Sequence, residues 1–470
     1  MKRIDILPDD VLLDMFDAYM DMSRLHSRFK AGVEAWQSLV HVCRRWRRLV
    51  LGSPRRLNLQ LFCTPKTRAR DTLDVWPAFP LIIQGDTALT PNVDVDNIIA
   101  ALGQSNRVCE ISLSLAGWQL EKVLAAMHVP FPELIELRLF PDAEALPVVP
   151  DSFLDRSAPR LRIFHLDAIP IPGLPKLLLS ATHLVELLLT NIPHSGYIPP
   201  EAIVALLSVL SSLRTLNLGF HSPQSRPGWE TRRPPPSKRS VVPDLTSLSF
   251  KGAIEYLEDL VTFIDAPQLE ILYIAFFNQI DFDIPRLTQF INRTPRLRKP
   301  DAHVQFGDRF AHVVLPPATP GSSGFGISIS CREPDWQLSS LAQICNSSLH
   351  PLSTAEDLYI EHQYSQLVWK NDANHAIENT LWLELLLPFA AVANLYLSKE
   401  FAPGIAFALQ ELVGGRIREV LPNLQNIFVE GLESSGPFQE NIGQFVSARQ
   451  LSNHPIAISV WDKQPNMGPM

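Results

Sequence analysis

The amino-acid sequence predicts an α/β protein in which a short all-helical N-terminal region is followed by an irregular solenoid of strands and helices. Apolar residues recur at helical spacing over residues 1–57, which predicts the helical region. From about residue 100, the pattern L-x-x-L-x-L returns with helix-like segments between its copies, for example 201–210 and 253–266. Because such strand–helix units bury their apolar sides only against their neighbours, they are expected to stack in one row.

The composition disfavours several classes of protein. Of the 470 residues, 46% are hydrophobic and 19% are charged, which is typical of an ordered chain with a large core. The formal net charge of −8 disfavours binding to nucleic acid or to an anionic membrane, and no apolar run approaches the roughly 18 residues of a membrane-spanning helix. The five cysteines show neither paired spacing nor zinc-ligand spacing. We therefore expect a reducing location, cytoplasmic, nuclear or both.

Two apolar stripes predict the helices of the N-terminal region. The first helix begins near Pro8, a residue that the first turn of a helix tolerates, and the second ends at Gly52 and Pro54. The stripe of the first helix consists of Val11, Leu12, Met15, Phe16 and Tyr19. The stripe of the second helix consists of Trp36, Leu39, Val40, Cys43, Trp46, Leu49 and Val50.

Four arginines, Arg44, Arg45, Arg47 and Arg48, fall mostly between the stripe positions of the second helix. They fit a solvated polar face beside a buried apolar one. A helix that binds nucleic acid would combine such a basic face with free aromatic side chains for stacking, and Trp46 belongs to the apolar stripe. The sequence therefore favours the solvated face over a nucleic-acid site.

The L-x-x-L-x-L pattern has six clear copies and four weaker ones. In each copy the apolar positions are expected to face the core from a strand and its approach. The clear copies are Leu134–Leu137–Leu139, Leu161–Phe164–Leu166, Leu184–Leu187–Leu189, Leu213–Leu216–Leu218, Leu245–Leu248–Phe250 and Leu269–Leu272–Ile274. The weaker copies are Val108–Ile111–Leu113, Ala355–Leu358–Ile360, Val392–Leu395–Leu397 and Leu424–Ile427–Val429.

The spacing of these copies divides the chain beyond the helical region into two parts. Residues 58–314 are expected to form the main solenoid, interrupted by a flexible loop rich in Pro, Ser and Arg over 221–243. A second loop over 315–328 leads into residues 327–470, which are expected to hold divergent repeats and a cap.

Residues that alternate with the buried positions of each strand are expected to line one concave sheet surface. Surfaces of this kind bind macromolecules, and the residue types here are mixed, as in protein recognition. For each single residue, an ordinary solvated strand face is the competing interpretation. The candidate target-binding residues are Glu136, Arg138, His165, Thr215, Asn217, Ser247, Ser249 and Tyr273.

The sequence shows no recognisable catalytic, cofactor-binding or metal-binding pattern. It lacks HExxH, and the segment PGSSGFG matches neither GxSxG nor a phosphate loop. The carboxylates of Glu255, Glu258 and Asp259 lie on a predicted surface helix, where charged residues are ordinary. We therefore expect a non-catalytic binding protein, and the alternative is an enzyme whose site is assembled from distant residues.

Two resemblances to known families follow from these patterns. The L-x-x-L-x-L copies resemble the strand half of a leucine-rich repeat. The N-terminal region resembles an F-box, with a long connection over residues 20–35, and residues 405–462 resemble the C-terminal part of a fungal group of F-box proteins. The residues that match the F-box are Leu7, Pro8, Val11, Leu12, Met15 and Phe16, and then Val42, Cys43, Arg44, Trp46 and Leu49.

The resemblance implies a substrate receptor of a Skp–cullin–F-box ubiquitin ligase. In such a receptor the F-box binds the Skp adaptor and, through it, a cullin–RING ligase, while the repeats bind a target protein that the sequence does not identify. The four arginines would then contact the rim of an acidic adaptor surface. A scaffold or binding module that assembles no ligase is the alternative, and neither function implies a cofactor, nucleic acid or membrane. The resemblance assigns adaptor binding to Leu7, Pro8, Val11, Leu12, Phe16, Val42, Cys43, Trp46 and Leu49.

Overall fold

The structure, a computed structural model, divides the chain into two compact units, residues 1–197 and residues 198–470. Each unit combines helices with a parallel or mostly parallel sheet, which confirms the predicted α/β class. Among the described residues no helix is both long enough and apolar enough to cross a membrane. The structure describes residues 7–26, 35–66, 68–86, 95–142, 147–171, 176–223, 239–279, 282–297, 300–316, 324–362, 379–412, 416–432 and 437–462.

The first unit begins with three helices, α1 (Asp9–His26), α2 (Ala35–Val40) and α3 (Arg44–Gly52). The second predicted helix is therefore two helices, because the backbone of Cys43 is extended, at φ −158° and ψ 169°. Cys43 is the N-cap of α3, and its Sγ atom accepts a hydrogen bond from the backbone N–H of Trp46 at 3.5 Å. The apolar periodicity continues across this break and so does not reveal the turn.

The rest of the first unit alternates strands and helices. Its six strands are parallel, and each pairs with the strand before it in the chain. The strands are β1 (Leu61–Cys63), β2 (Leu81–Asp86), β3 (Val108–Ala116), β4 (Glu136–Asp142), β5 (Ile163–Asp167) and β6 (Glu186–Ile192). The helices are α4 (Ala69–Val75), α5 (Val95–Leu102), α6 (Gly117–Ala126) and α7 (Lys176–Ser180), with short 3-10 helices at Phe153–Arg156 and His194–Gly196.

Side-chain burial in these strands follows the predicted pattern. In β4, Leu137 and Leu139 are fully buried, whereas Glu136 and Arg138 are half-buried. The first leucine of the same copy, Leu134, is fully buried just before the strand begins. Since successive strand residues point to opposite faces of a sheet, the leucines pack on one side and the polar residues lie on the other. We call the side away from the buried leucines the open face, in both units.

The second unit contains a main sheet of ten strands and a separate pair of two. Its strands are β7 (Thr215–Phe220), β8 (Ser240–Val241), β9 (Ser247–Gly252), β10 (Ile264–Asp265), β11 (Ile271–Phe277), β12 (Asp301–Gly307), β13 (Phe310–Leu315), β14 (Gly324–Ser330), β15 (Asp357–His362), β16 (Asn394–Leu397), β17 (Asn426–Glu430) and β18 (Ala457–Trp461). Within this unit the strand order is β7-β9-β11-β14-β13-β12-β15-β16-β17-β18, and β8 pairs with β10. The helices are α8 (Pro200–Leu207), α9 (Ile254–Phe263), α10 (Pro285–Asn292), α11 (Pro334–Cys345), α12 (His350–Ser353), α13 (Asn379–Leu386), α14 (Ala402–Gln410) and α15 (Pro437–Leu451), with a short 3-10 helix at Pro295–Leu297.

An antiparallel hairpin interrupts the parallel order of the second unit. β13 is antiparallel to both β12 and β14, while β14 is parallel to β11 and β12 is parallel to β15. The turn contains Asp308 and Arg309, and the ring of Phe310 lies so close to Gly307 that a Cβ atom there would come within 2.7 Å of it. The repeat pattern does not predict this hairpin. Its sequence signal is a turn between two alternating apolar series, Ala302, Val304 and Phe306, then Ala311, Val313 and Leu315.

The predicted flexible loop over 221–243 is partly ordered structure. Residues 224–238 lie outside the described residues. At the end of the loop, Ser240–Val241 form strand β8, and Val242 is fully buried. The two valines at 241 and 242 explain why this end of the segment is structured, because Val242 is buried in the core.

The second predicted loop, over 315–328, is also shorter than the sequence indicates. Residues 317–323 lie outside the described residues, but β14 begins at Gly324, and its buried Ile327 is in register with the buried Val313. The predicted division between 314 and 327 therefore lies within the β13–β14 pair, and the boundary of the compact units lies after Tyr197.

A fully buried arginine holds the C-terminal end of the second unit. Arg449 on α15 donates hydrogen bonds to the backbone carbonyl oxygens of Ile417, Leu421, Pro422 and Leu424, at 3.4, 3.4, 3.2 and 3.0 Å. A buried cation is tolerated only with such partners. The side chain therefore ties the segment before β17 to the last helix.

Candidate binding surfaces

The predicted adaptor-binding residues separate into a buried group and an accessible group. Leu12 and Phe16 are buried among the three helices, and the ring of Phe16 meets the ring of Trp46 edge-on at a centroid distance of 4.7 Å. Leu12 and Phe16 therefore support the helices and are not free to contact a partner. Leu7, Trp46 and Leu49 are half-buried, and Pro8, Val11, Val42 and Cys43 are exposed.

Helix α1 carries a second apolar stripe beside the buried one. Its members are Val11, Met15, Tyr19 and Met22, with exposed fractions of 38%, 49%, 44% and 62%. Their spacing of three and four residues places them on one side of the helix. A contiguous exposed apolar surface of this kind is typical of an interaction site. We call these four residues the α1 stripe.

The arginines of α3 have two different environments. Arg45 donates from Nη2 to the carbonyl oxygen of Leu7 at 2.6 Å and from Nε to Oδ1 of Asp9 at 3.0 Å. Arg47 donates from Nε to the carbonyl oxygen of Val40 at 2.9 Å. These two side chains join α3 to the other helical segments, but Arg47 is exposed, so the expectation of a solvated face fails only at Arg45, which is half-buried. The other two arginines, Arg44 and Arg48, are exposed.

The predicted target-binding residues lie on the open face of the sheet in each unit. In the first unit, Arg138 is in register with His165. In the second unit, Asn217, Ser249 and Tyr273 are in register across β7, β9 and β11. Tyr273 is exposed, and the half-buried residues are Glu136, Arg138, His165, Thr215, Asn217, Ser247 and Ser249.

Polar groups on the open face of the first unit pair with one another in two places. The Nε atom of Arg138 lies 2.8 Å from Oε1 of Glu136. Thr190 and Asn191 both donate to Oδ1 of Asp167, at 2.6 and 2.8 Å. This face therefore has a mixed, internally paired polar surface.

Two groups on the same face have shifted pKa values. Burial raises the pKa of Glu110, and the carboxylate of Glu136, its neighbour in register, raises that pKa further. Burial lowers the pKa of His165, and the positive charge of Arg138 lowers that pKa further. Both shifts favour the uncharged form of the group, as desolvation generally does.

The second unit carries a row of aromatic rings across four neighbouring strands. His303 on β12, Tyr359 on β15, Tyr396 on β16 and Phe428 on β17 are in register on the open face. Successive rings stack almost in parallel, with centroid distances of 4.3, 4.2 and 4.6 Å and interplanar angles of 10°, 8° and 10°. We call these four residues the aromatic row.

A polar side chain precedes each ring of the aromatic row by two residues. Asn394 donates to Oδ1 of Asp357 at 2.6 Å, Asn426 donates to Oδ1 of Asn394 at 2.8 Å, and Asp301 is in register with Asp357. The four strands accordingly contain the tripeptides DAH, DLY, NLY and NIF. This recurrence of Asp or Asn, an apolar residue and a ring is the sequence signal for a surface that the L-x-x-L-x-L pattern does not reveal.

The ring of Trp461 on β18 lies against two rings of the aromatic row. Its ring centroid lies 6.0 Å from that of Tyr359 and 5.7 Å from that of Tyr396. Burial raises the pKa of Tyr359, and the nearby Tyr396 and Asp357 raise that pKa further. All these side chains are half-buried, so part of each remains accessible.

The described parts of the chain contain no cluster of side chains suited to bind a metal ion. No three His, Cys, Asp or Glu side chains there are placed to hold a metal ion. Burial raises the pKa of Cys109 to about 12, with a further contribution from the carboxylate of Glu110, and burial also raises the pKa of Cys345. Both thiols are therefore held in the protonated form, which is a poor nucleophile.

No family model and no curated protein matches this chain. Among solved structures it is similar to the leucine-rich repeat-containing protein LegL7 from Legionella pneumophila, with 12% sequence identity, 82% of this chain and 97% of that chain covered, and a TM-score of 0.26. A TM-score of this size does not show that the two chains share a fold. The register and burial of the chain's own strands show that the L-x-x-L-x-L copies form a series of mostly parallel strands with their apolar residues in the core, as expected of leucine-rich-repeat-like units.

Proposed function

We propose that this protein is the target-binding subunit of a Skp–cullin–F-box ubiquitin ligase. Helices α1–α3 bind the Skp adaptor, and the open face of the repeats binds a target protein. The observation that carries the proposal is the α1 stripe, an exposed apolar surface on the helix whose sequence resembles an F-box. The chain itself performs no chemical step.

The division of α1 into two apolar sides supports this role. A docking helix needs one apolar side to hold it in its own fold and another to enter a groove on the partner. In α1, Phe16 packs against Trp46, while Val11 and Met15 stay exposed one turn apart. Full burial of a side chain of this size stabilises a complex by roughly 1.5–3 kcal/mol. Four such positions are enough to anchor an adaptor.

The repeats contribute to ubiquitin transfer by holding the target protein in place, without taking part in the chemical step. A protein held on their open face stays close to the ubiquitin-charged enzyme of the assembled ligase, which raises the effective concentration of its lysines at the transfer site. Adaptor binding and target binding use different residues, so each is open to a separate test.

A pull-down of the full chain from lysate tests the adaptor half. We expect the wild type to retain a Skp adaptor and a cullin, and a Val11→Glu, Met15→Glu double variant to lose both by about tenfold or more, the equivalent of about 1.4 kcal/mol. Both side chains are exposed, so the fold is expected to survive, and circular dichroism checks this.

The matched control is Val75→Glu, which places the same charge at an exposed valine of α4, outside the α1 stripe. It is expected to retain both proteins. A wild type that retains neither protein, or a double variant that retains both, contradicts the ligase proposal. The chain would then be a binding module or scaffold that assembles no ligase.

A further inference from the structure

The open face formed by the last strands of the second unit is both aromatic and anionic. Strands β12, β13 and β15–β18 contain four carboxylates, and within these six strands there is no lysine or arginine. By the alternation of strand residues, all four carboxylates lie on the same side as the aromatic row, three of them half-buried and Glu361 buried. They belong to Asp301, Asp357, Glu361 and Glu430.

Carboxylates lie two residues before or after three of the four rings of the aromatic row. Asp357 precedes Tyr359 by two residues, and Glu361 follows it by two. Glu430 on β17 is in register with Trp461 on β18. Tyr359 therefore has a carboxylate towards each end of its strand, whereas His303 has one before it and Phe428 has one after it.

Two of these carboxylates contact groups on neighbouring strands. Asp357 accepts a hydrogen bond from the amide of Asn394, and Oε1 of Glu361 lies 3.5 Å from Nδ1 of His303. Neither partner carries a fixed positive charge. The surface therefore keeps an anionic potential, which attracts a cationic partner and repels phosphate.

The stacking of the rings narrows the choice of ligand further. Rings that are about 4.2 to 4.6 Å apart and almost parallel cover one another's faces, so a planar sugar or base has no room to insert between them. The aliphatic stems of Lys and Arg instead pack along ring edges while their charged ends reach carboxylates. Tryptophan is the strongest aromatic partner for a cation, and Trp461 lies beside this row.

We propose that the aromatic row and Trp461 form the docking surface for a basic segment of a partner protein, one that presents Arg and Lys side chains. The inference rests on the proposed function, because it names the chemistry of the target. It places the main contact on β12 and β15–β18 instead of on residues such as Arg138 or Tyr273. Attraction of this kind speeds association and weakens as salt is added.

Fluorescence anisotropy with two labelled synthetic peptides and the purified full chain tests the proposal. In one peptide arginine alternates with glycine and serine, and in the other glutamate replaces arginine. We expect the arginine peptide to bind, with an affinity that falls as the salt concentration rises towards about 0.15 M, where charges are screened within about 8 Å. We expect the glutamate peptide not to bind.

Two variants locate the contact. Glu430→Gln and Trp461→Ala are each expected to weaken binding of the arginine peptide about fivefold, the equivalent of about 1 kcal/mol. The matched controls, Glu440→Gln on α15 and Trp336→Ala on α11, make the same changes at exposed positions on helices and are expected to leave the affinity unchanged. Glu430→Gln is nearly isosteric, so it still measures the contribution of this surface to peptide binding if Trp461→Ala unfolds β18.

The proposal is overturned if the arginine peptide does not bind, if the glutamate peptide binds as well, or if the control variants weaken binding as much as the test variants do. It is also overturned if Trp461→Ala converts a dimer into a monomer, because the surface then contacts a second copy of the chain. Binding of the arginine peptide by a chain that retains no adaptor supports the surface and contradicts the ligase assignment alone.

Discussion

The open face of β3–β6 and the open face of β12 and β15–β17 are built over the same kind of buried pattern but carry different side chains. Across the first, the residues in register are Ser112, Arg138, His165 and Leu188. Across the second, every residue in register is a ring of the aromatic row. Burial therefore constrains only one side of each strand. On the first open face the other side carries residues of mixed chemistry that act singly. On the second it carries a stack of rings, in which each stacked pair adds roughly 0.5–1.5 kcal/mol to the stability of the fold.

The largest loss of stability is expected from substitution of the buried arginine of the second unit, Arg449. Arg449→Met removes the donors of four backbone carbonyl oxygens, and each buried acceptor left without a donor costs about 1–3 kcal/mol. Because the loop partly relaxes, we expect the free energy of unfolding to fall by roughly 3–5 kcal/mol, within the range for breaking buried charged interactions. Equilibrium unfolding in urea, followed by circular dichroism, measures this.

Arg107 in the first unit is the matched comparison for Arg449. It is half-buried and donates to the carbonyl oxygens of Phe79 and Pro77, at 3.1 and 3.2 Å. Since water can replace a half-buried donor, Arg107→Met is expected to cost only about 1 kcal/mol. Equal losses from both variants would contradict the view that burial decides the cost.

The next largest loss of stability is expected from removal of an aromatic ring on the open face. Tyr359→Ala removes a ring that is stacked on both sides, so we expect a loss of roughly 2 kcal/mol in the free energy of unfolding. His165→Ala removes one edge-on contact with Phe140 and a 3.5 Å contact of Nε2 with the hydroxyl of Thr190, and it is expected to cost less than about 1 kcal/mol. Urea unfolding of both variants checks the difference. A His165 variant as unstable as the Tyr359 variant would show that the aromatic row does not act as a unit.

The stability of the protein is also expected to depend on pH through two groups with shifted pKa values. Burial, together with the neighbouring His303, lowers the pKa of His312 from 6.5 to about 4. Between these two values the unfolded chain takes up a proton that the folded chain does not, so the free energy of unfolding falls as the pH falls. His312→Gln lacks this proton and should therefore lose less stability over the same range. Thermal unfolding from neutral pH down to about pH 4 compares the two proteins.

Glu110 in the first unit gives a pH response of the opposite sign. Burial and Glu136 raise its pKa above the ordinary 4.5, so the folded carboxyl group holds its proton to a higher pH than the unfolded one does. The free energy of unfolding therefore falls as the pH rises through the raised pKa. Glu110→Gln is expected to raise the Tm at neutral pH and to raise it less below pH 4.5. A variant with a lower Tm at neutral pH would contradict this.

The positions of the repeated strands could be predicted because burial leaves a period in the sequence. All ten copies of L-x-x-L-x-L lie at strands of the structure. The hairpin of β12 and β13 follows plain alternation instead, and the break at Cys43 lies inside an unbroken apolar stripe. Both depend on backbone geometry that side-chain periodicity does not encode.

The candidate surfaces could be predicted only in part. The F-box-like residues fall where a partner-binding region is proposed, but the sequence does not separate Phe16, which is buried, from Met15, which is exposed. The aromatic row depends on which residues of distant strands are in register. Tyr359 and Tyr396 occupy positions that the repeat pattern assigns to solvent, and only the pairing of their strands brings the rings together.

In the sheet, β14, β13 and β12 lie in the reverse of their order in the chain, and this affects both the folding of the chain during synthesis and the evolution of its repeat number. In a simple stack a repeat can be gained or lost between any two neighbours, because each repeat touches only those beside it. Here β11 pairs with β14, which follows both hairpin strands in the chain, and β12 lies further away. The edge of β11 therefore stays open during synthesis until residues 324–330 arrive, and an open edge invites wrong pairing. The block from β11 to β15 must assemble as one piece, so we expect lengthening or shortening by whole repeats to spare it.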